Sequence, residues 1–280
     1  SLIALSLISP PAMAATKPVA LQLGSVFSAP ASTEAFALSG KNAVFIENIN
    51  GKSADVLVTA VDPSGLQIWK KTIDSGVDEV ASAMSTDPLG NIWVAGLSAQ
   101  VGVVETTTPL TGIDNPDGVV VETTTPLRSD LSQITLWKIS PAGELLSTIM
   151  SSQKSVAEIT AVSATNSGIS IIGAIDGKPF LLTATTGVFG KLFTLGTSAT
   201  EFNAVARNSD GSTSIFGSST ETLAGKKVAG IRDGILLKVS KSNTVTSLVR
   251  SSANKASRSW ISGDTSNLVS GPVMTGKVIE

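Results

Sequence analysis

This 280-residue sequence has 22 Asp and Glu, 20 Lys and Arg, and no Cys, His or Tyr. No disulfide, no Cys or His metal ligand, no Ser-His-Asp or Cys-His nucleophilic pair and no tyrosine acid can therefore form. Carboxylates and carbonyls remain. They can serve as the paired acids of glycoside hydrolysis or as oxygen ligands for a hard cation. Asp114, Asn115 and Asp117, inside Gly112-Ile113-Asp114-Asn115-Pro116-Asp117-Gly118, offer oxygens to calcium. They lack the full alternating-Asp, Gly and distal Glu spacing of a calcium loop, so a metal-free turn is the expectation. Asp74, Asp78 and Glu79 could supply paired carboxylates but read as turn residues. Lys226, Lys227 and Arg232, beside Glu221, read as a solvated loop ahead of an anion site. Glu105 and Glu122 complete the candidate binding residues. No catalytic residue and no cofactor is expected.

Net charge of −2 and a pI near 5.3 supply no basic field for a nucleic-acid backbone. Only 4% of residues are aromatic, too few for a base-stacking platform. A charged fraction of 15% with mean hydropathy of +0.29 argues against a disordered chain. At the start, the apolar run Leu2-Ile3-Ala4-Leu5-Ser6-Leu7-Ile8 is broken by Ser9-Pro10-Pro11 and followed by Ala12-Met13-Ala14. This order matches the apolar and cleavage regions of a secretory signal, with cleavage expected after Ala14. Residues 1–15 are accordingly read as a truncated signal peptide, and 16–280 as one exported domain without a membrane span.

The elements that must position the candidates are short strands. Past residue 30, apolar residues alternate in short runs bounded by Gly, Pro, Asn, Asp and Ser, with no long amphipathic helix. The runs are copies of one unit. Asp55 to Asp62, then Pro63-Ser64-Gly65, then Leu66 to Lys70 recurs as Ile134 to Ser140, Pro141-Ala142-Gly143 and Glu144 to Leu146. It recurs in weaker form from Pro179 to Phe193, and again from Asp233 to Val245. A second element precedes each hairpin and ends in glycine, at Gly96, Gly173, Gly217 and Gly271, with a poorer copy at Asn42 to Ile46. A unit of ~40–50 residues and four strands is the size of one propeller blade.

Asp233-Gly234-Ile235-Leu236-Leu237-Lys238 and Gly90-Asn91-Ile92-Trp93-Val94-Ala95-Gly96 resemble the two halves of the bacterial β-propeller repeat often called the seven-bladed propeller repeat. Trp93 stands at that repeat's tyrosine-type position, which Ser170, Ser214 and Leu268 occupy in the other copies. The resemblance implies a propeller and often export, and carries no fixed activity. Ser209-Asp210-Gly211-Ser212-Thr213 lacks the spacing and Trp of the Asp box of sialidase propellers.

The expected fold is all-β: a propeller of four-stranded antiparallel blades, five in number. The first four blades take strands at 33–39, 42–48, 55–61 and 66–72; 79–86, 91–97, 132–139 and 144–150; 157–163, 168–174, 179–184 and 190–195; 201–207, 212–218, 234–239 and 244–250. The fifth takes 257–263, 267–271 and 276–280, closed by an N-terminal strand at 18–24, which would remove exposed edges. Trp69, Trp93, Trp137 and Trp260 are expected on strands as packing between blades. The long connections 98–131 and 219–232 both join a second strand to a third, so both leave one face. Within the first, Val103 to Leu110 repeats as Val120 to Leu127, giving either a hairpin arm or a floppy loop. The function expected is a non-catalytic exported scaffold, monomeric or weakly oligomeric, that binds an extracellular protein, glycan or cell-envelope partner. The alternatives are a carboxylate-dependent glycosidase or lyase, and a structural envelope protein self-associating through 101–130.

Overall fold

Apolar alternation between turn formers folds here into antiparallel strands. The computed structural model describes residues 28–100, 130–151, 155–185, 187–275 and 278–279, and among these every regular element is a strand. No helix is long and apolar enough to cross a membrane. The first sheet runs β1 (Thr33–Ser39), β2 (Asn42–Asn50), β3 (Ala54–Val61) and β4 (Gln67–Ile73), each strand beside the next. The second repeats that order with β5 (Glu79–Thr86), β6 (Ile92–Ala99), β7 (Leu131–Ile139) and β8 (Leu145–Met150). The third has β9 (Ala157–Thr165), β10 (Gly168–Ile175) and β11 (Lys178–Thr185), with an outer edge in two pieces, β12 (Val188–Phe189) and β13 (Phe193–Thr194). The fourth has β14 (Thr200–Arg207), β15 (Thr213–Ser219), β16 (Asp233–Val239) and β17 (Val245–Ser251). The last group is β18 (Ala256–Arg258), β19 (Ser262–Gly263), β20 (Val269–Ser270), β21 (Val273–Thr275) and β22 (Val278–Ile279). The strand expected at 18–24 lies outside the described residues.

Two expected strands are corrected. The outer strand at 190–195 is split, because Phe189 pairs with Ala184 while Phe193 pairs with Leu181, leaving one residue too many on the outer side. Trp260 is not on a strand but in the break between β18 and β19. Its backbone N–H leaves its own sheet and donates to the Gly217 carbonyl of the fourth sheet at 3.2 Å. Its indole fills the space over Gly234, where an added Cβ would lie 2.5 Å from the ring nitrogen.

The sheets stack in series through their first strands, β1 against β5, β5 against β9, and β9 against β14. Both faces of an inner sheet are therefore buried, against different neighbours. In the second sheet, Ile92, Val94, Trp137 and Ile139 pack on the first, while Ala95, Ile134 and Leu136 pack on the third. In the third sheet, Ile171, Phe180 and Leu182 face the second, while Ile172 and Leu181 face the fourth. A two-layer sandwich would bury one face of each sheet. Polar clasps cross the same interfaces. The Asn48 amide accepts from the Ala81 N–H at 2.8 Å and donates to its carbonyl at 3.0 Å. The buried Arg207 guanidinium donates to Ser167 Oγ at 3.1 Å, the Ser167 carbonyl at 2.8 Å and Ser170 Oγ at 3.1 Å.

The glycines that end each second element have a steric origin. The register of the first strand slips opposite each of Gly96, Gly173 and Gly217, a β-bulge in every case. An added Cβ would lie 2.0 Å from the Val80 carbonyl oxygen at Gly96, and 1.9 Å from those of Glu158, Glu201 and Ser259 at Gly173, Gly217 and Gly271. The first sheet lacks this glycine because β1 begins at the bulge itself, between Thr33 and Ala35, with Glu47 opposite. Gly217→Ala should therefore lower unfolding stability by about 2–3 kcal/mol, whereas Gly51→Ala, which meets only ordinary contact, should stay within about 0.5 kcal/mol of wild type. Urea unfolding of both variants checks this.

Candidate functional site

The ends of the strands form two unlike edges. At one edge, first strands turn into second, and third into fourth, through a recurring tight turn. In Asp62 to Leu66, Asp87 to Asn91, Ser140 to Glu144, Asn208 to Ser212, Ser240 to Thr244 and Asp264 to Leu268, the fourth residue donates its N–H to the first residue's carbonyl at 2.9–3.1 Å. That fourth residue is Gly or Asn with positive φ in all six turns, as a type I turn followed by a left-handed residue requires. The Pro-x-Gly signals in the sequence are three of these. A cavity of about 360 Å³ opens beside them between the second and third sheets, lined in part by Asp87, Trp93, Lys138 and Ser167. Lys138 Nζ lies 4.9 Å from the Trp93 ring centroid and so occupies the face a sugar would stack on.

The other edge carries connections of uneven length. β6 ends at Ala99 and β7 begins at Leu131, and β15 ends at Ser219 and β16 begins at Asp233, so both long connections leave this edge as expected. Glu105, Asp114, Asn115, Asp117 and Glu122 lie outside the described residues. Lys226, Lys227 and Arg232 are described, and they do not converge. The Lys226 ammonium donates to the Leu248 carbonyl, Lys227 is exposed, and Arg232 Nη1 pairs with Glu201 Oε1 at 2.9 Å. The connection is tied down by a buried ion pair, Arg250 Nη1 to Asp233 Oδ2 at 3.3 Å, and Arg250 also donates to the Glu221 carbonyl. Burial opposes charge on Asp233, but hydrogen bonds from Ser252, Gly230, Ala229 and Arg250 outweigh it and hold the carboxyl below its ordinary range. Glu221 is fixed in turn by the Thr197 N–H at 2.7 Å and Thr200 Oγ1 at 2.6 Å.

The same edge holds a cluster of which the sequence reading named Asp74 and Glu79, as turn residues, and did not name Asp55. Asp55 is the second residue of β3, Asp74 follows β4, and Glu79 is the first residue of β5. Together they offer three carboxylate oxygens that all lie within 4.8 Å of one another, and among the described residues they are the one such group of acids. Glu79 is not a turn residue: its side chain is enclosed with the residue at 0% exposure, while Asp55 is half-buried and Asp74 exposed. Ser53 Oγ donates to Asp55 Oδ1 at 2.7 Å, the Gly76 N–H to Asp74 Oδ1 at 2.8 Å, and the Ser75 N–H and hydroxyl to Glu79 Oε1. Burial raises the Glu79 carboxyl above the usual glutamate range against the Ser75 hydrogen bonds, and Asp55 and Asp74 push it the same way as burial. Asp78 stands apart, accepting from the Ala54 N–H at 2.8 Å. The signal in the sequence was positional. In register with the bulge, Glu79 occupies the place that Ala157 and Thr200 hold in the next two copies, so an acid there departs from the repeat.

No protein-family model matches the chain, and no curated protein matches it in sequence. Among solved structures it is similar to an acylaminoacyl peptidase of Pyrococcus horikoshii, at 8% identity and TM-score 0.39, over 85% of this chain and 41% of that one. It is similar to prolyl oligopeptidase B from Galerina marginata, at 8% identity and TM-score 0.40, over 85% and 31%. A polysaccharide lyase matches at 13% identity and TM-score 0.33, over 71% and 43%. The chain spans less than half the length of these three proteins. Likeness this loose says nothing of what the chain does.

Asp233→Asn would strand the buried Arg250 cation and should cost about 3 kcal/mol at neutral pH. Because the Asp233 carboxyl is held below its ordinary value in the folded state, its contribution is present above that value and is lost as pH falls through the folded one. The stability gap between wild type and variant, read by urea unfolding, should therefore narrow in acid.

Proposed function

We propose that the chain is an exported, non-catalytic β-propeller of five blades, closed by residues 18–24, which binds an extracellular protein, glycan or cell-envelope partner through the edge of the long connections. The observation that carries this reading is the contrast between the edges. One edge repeats the same short turn, whereas both long connections leave the other from sheets packed on both faces. Long connections on a rigid frame are where recognition concentrates. The serial contact of first strands supports a radial arrangement of blades. Pairing of Val278–Ile279 with β21 supports a third strand in the last blade.

The glycosidase alternative draws no support from the acids that lie closest together. A carboxylic acid that protonates a glycosidic oxygen must touch substrate, and Glu79 is fully enclosed. A glycan array and a pull-down from envelope extract, using residues 16–280 with and without 101–130, test the binding role. Capture of a partner by the intact chain, and its loss on deletion with the melting temperature unchanged, is the expected result. Undiminished capture by the deletion of every partner found would remove the recognition role of that connection. Ring closure has its own test. Removing residues 16–27 should lower the melting temperature by several degrees, and an unchanged melt would count against closure by 18–24.

A further inference from the structure

Three carboxylates brought together in a protein need a cation or a proton. The fourth sheet shows one solution. Asp233 and Asp55 occupy the same register position at the start of a third strand, two residues before the residue that pairs with the glycine position. In the fourth sheet the outer strand places Arg250 opposite Ile235, and Arg250 neutralises Asp233. In the first sheet the corresponding outer residue, opposite Leu57, is Thr72. No described Lys or Arg is paired with Asp55, Asp74 or Glu79. Two further acids stand where the arginine would be useful.

We propose that Asp55, Asp74 and Glu79 form a calcium site that joins the first sheet to the second. Two oxygens bound to one Ca²⁺ at about 2.4 Å can lie at most about 4.8 Å apart, which is the spread of these three. One oxygen of each carboxylate is already held by Ser53, Gly76 or Ser75, which fixes its orientation. The second oxygen of Glu79 is buried with no hydrogen-bond partner, an orphaned acceptor that a cation would satisfy. The donor set is hard oxygen only, which suits calcium and not zinc. Its irregular layout suits calcium over magnesium, which demands near-octahedral geometry. Asp74 is exposed, so the ion has a way in from solvent and water can complete its shell. Asp55 lies in β3 and Asp74 follows β4 of the first sheet, and Glu79 opens the second. The ion would thus bridge two sheets that also meet through apolar packing and through hydrogen bonds such as the Asn48 clasp and that of Ser39 Oγ to the Gly90 carbonyl.

Isothermal titration of the full chain with CaCl₂, with MgCl₂ as comparison, is the test, together with thermal melts in calcium and in EDTA. One calcium per chain and a melting temperature that rises with calcium concentration are expected. Asp74→Asn, whose exposed side chain meets only the Gly76 N–H, should fold normally and weaken calcium binding by about tenfold or more. Glu79→Gln should do the same, and Asp62→Asn, in a turn at the other edge, should change neither. Absence of calcium binding at millimolar concentration would overturn the site. Calcium binding unaltered by Asp74→Asn and Glu79→Gln would also overturn it, and would place the ion elsewhere in the chain, with Asp114, Asn115 and Asp117 the next group to test.

Discussion

A carbonyl oxygen seated where a side chain would begin governs this architecture. In the second, third and fourth sheets the first strand bulges, and its carbonyl enters the space over a glycine of the second strand. A bulge adds twist and bends its strand. Neighbouring first strands then come close enough for β1, β5, β9 and β14 to touch in sequence. The apolar faces of successive sheets close on each other, and Ala81, at the bulge, becomes available to the Asn48 amide of the preceding sheet. Gly at these positions is a packing requirement between two backbones and not a turn requirement.

The bulge also decides where charge collects. It lies near the edge from which the uneven connections leave, and the residue two positions before it is drawn inward. Where that residue is Ala157 or Thr200, the copy is uncharged there. Where it is Glu79, a carboxylate is buried beside two others. The two edge aspartates of equivalent register meet opposite fates, Asp233 against an arginine and Asp55 against acids. One scaffold thus holds a self-neutralised charge site and an acid-only one, and the difference lies in which residues face the opening of the third strand.

Much of the frame was legible in the sequence because it is written locally. Period-2 alternation and Pro-x-Gly turns set the first four sheets to within two residues at nearly every boundary, and the recurrent glycines marked the bulges. What escaped is long-range. Trp260 reads as a strand residue by its neighbours, yet its N–H bonds to Gly217 of another sheet. The third sheet's outer strand splits over a single surplus residue, which alternation alone does not register. The cluster is hardest of all. Asp55, Asp74 and Glu79 are separated along the chain, and an acid beside Asp78 and Gly76 looks solvated. Only alignment of the copies column by column exposes Glu79 as an acid in a buried place.

The two edges differ in how far the length of their connections varies. Six turns at one edge share hydrogen bonds that agree to within a few tenths of an ångström, and five begin on an Asp or Ser whose side-chain oxygen accepts from N–H groups within the turn. Such turns fix register and tolerate little change in length. At the opposite edge the connections range from Asp176-Gly177 to the stretch between Ala99 and Leu131, and the strands that bear them keep their pairing. The inner sheets spend both faces on their neighbours. With one edge committed to register, freedom in connection length is left to the other.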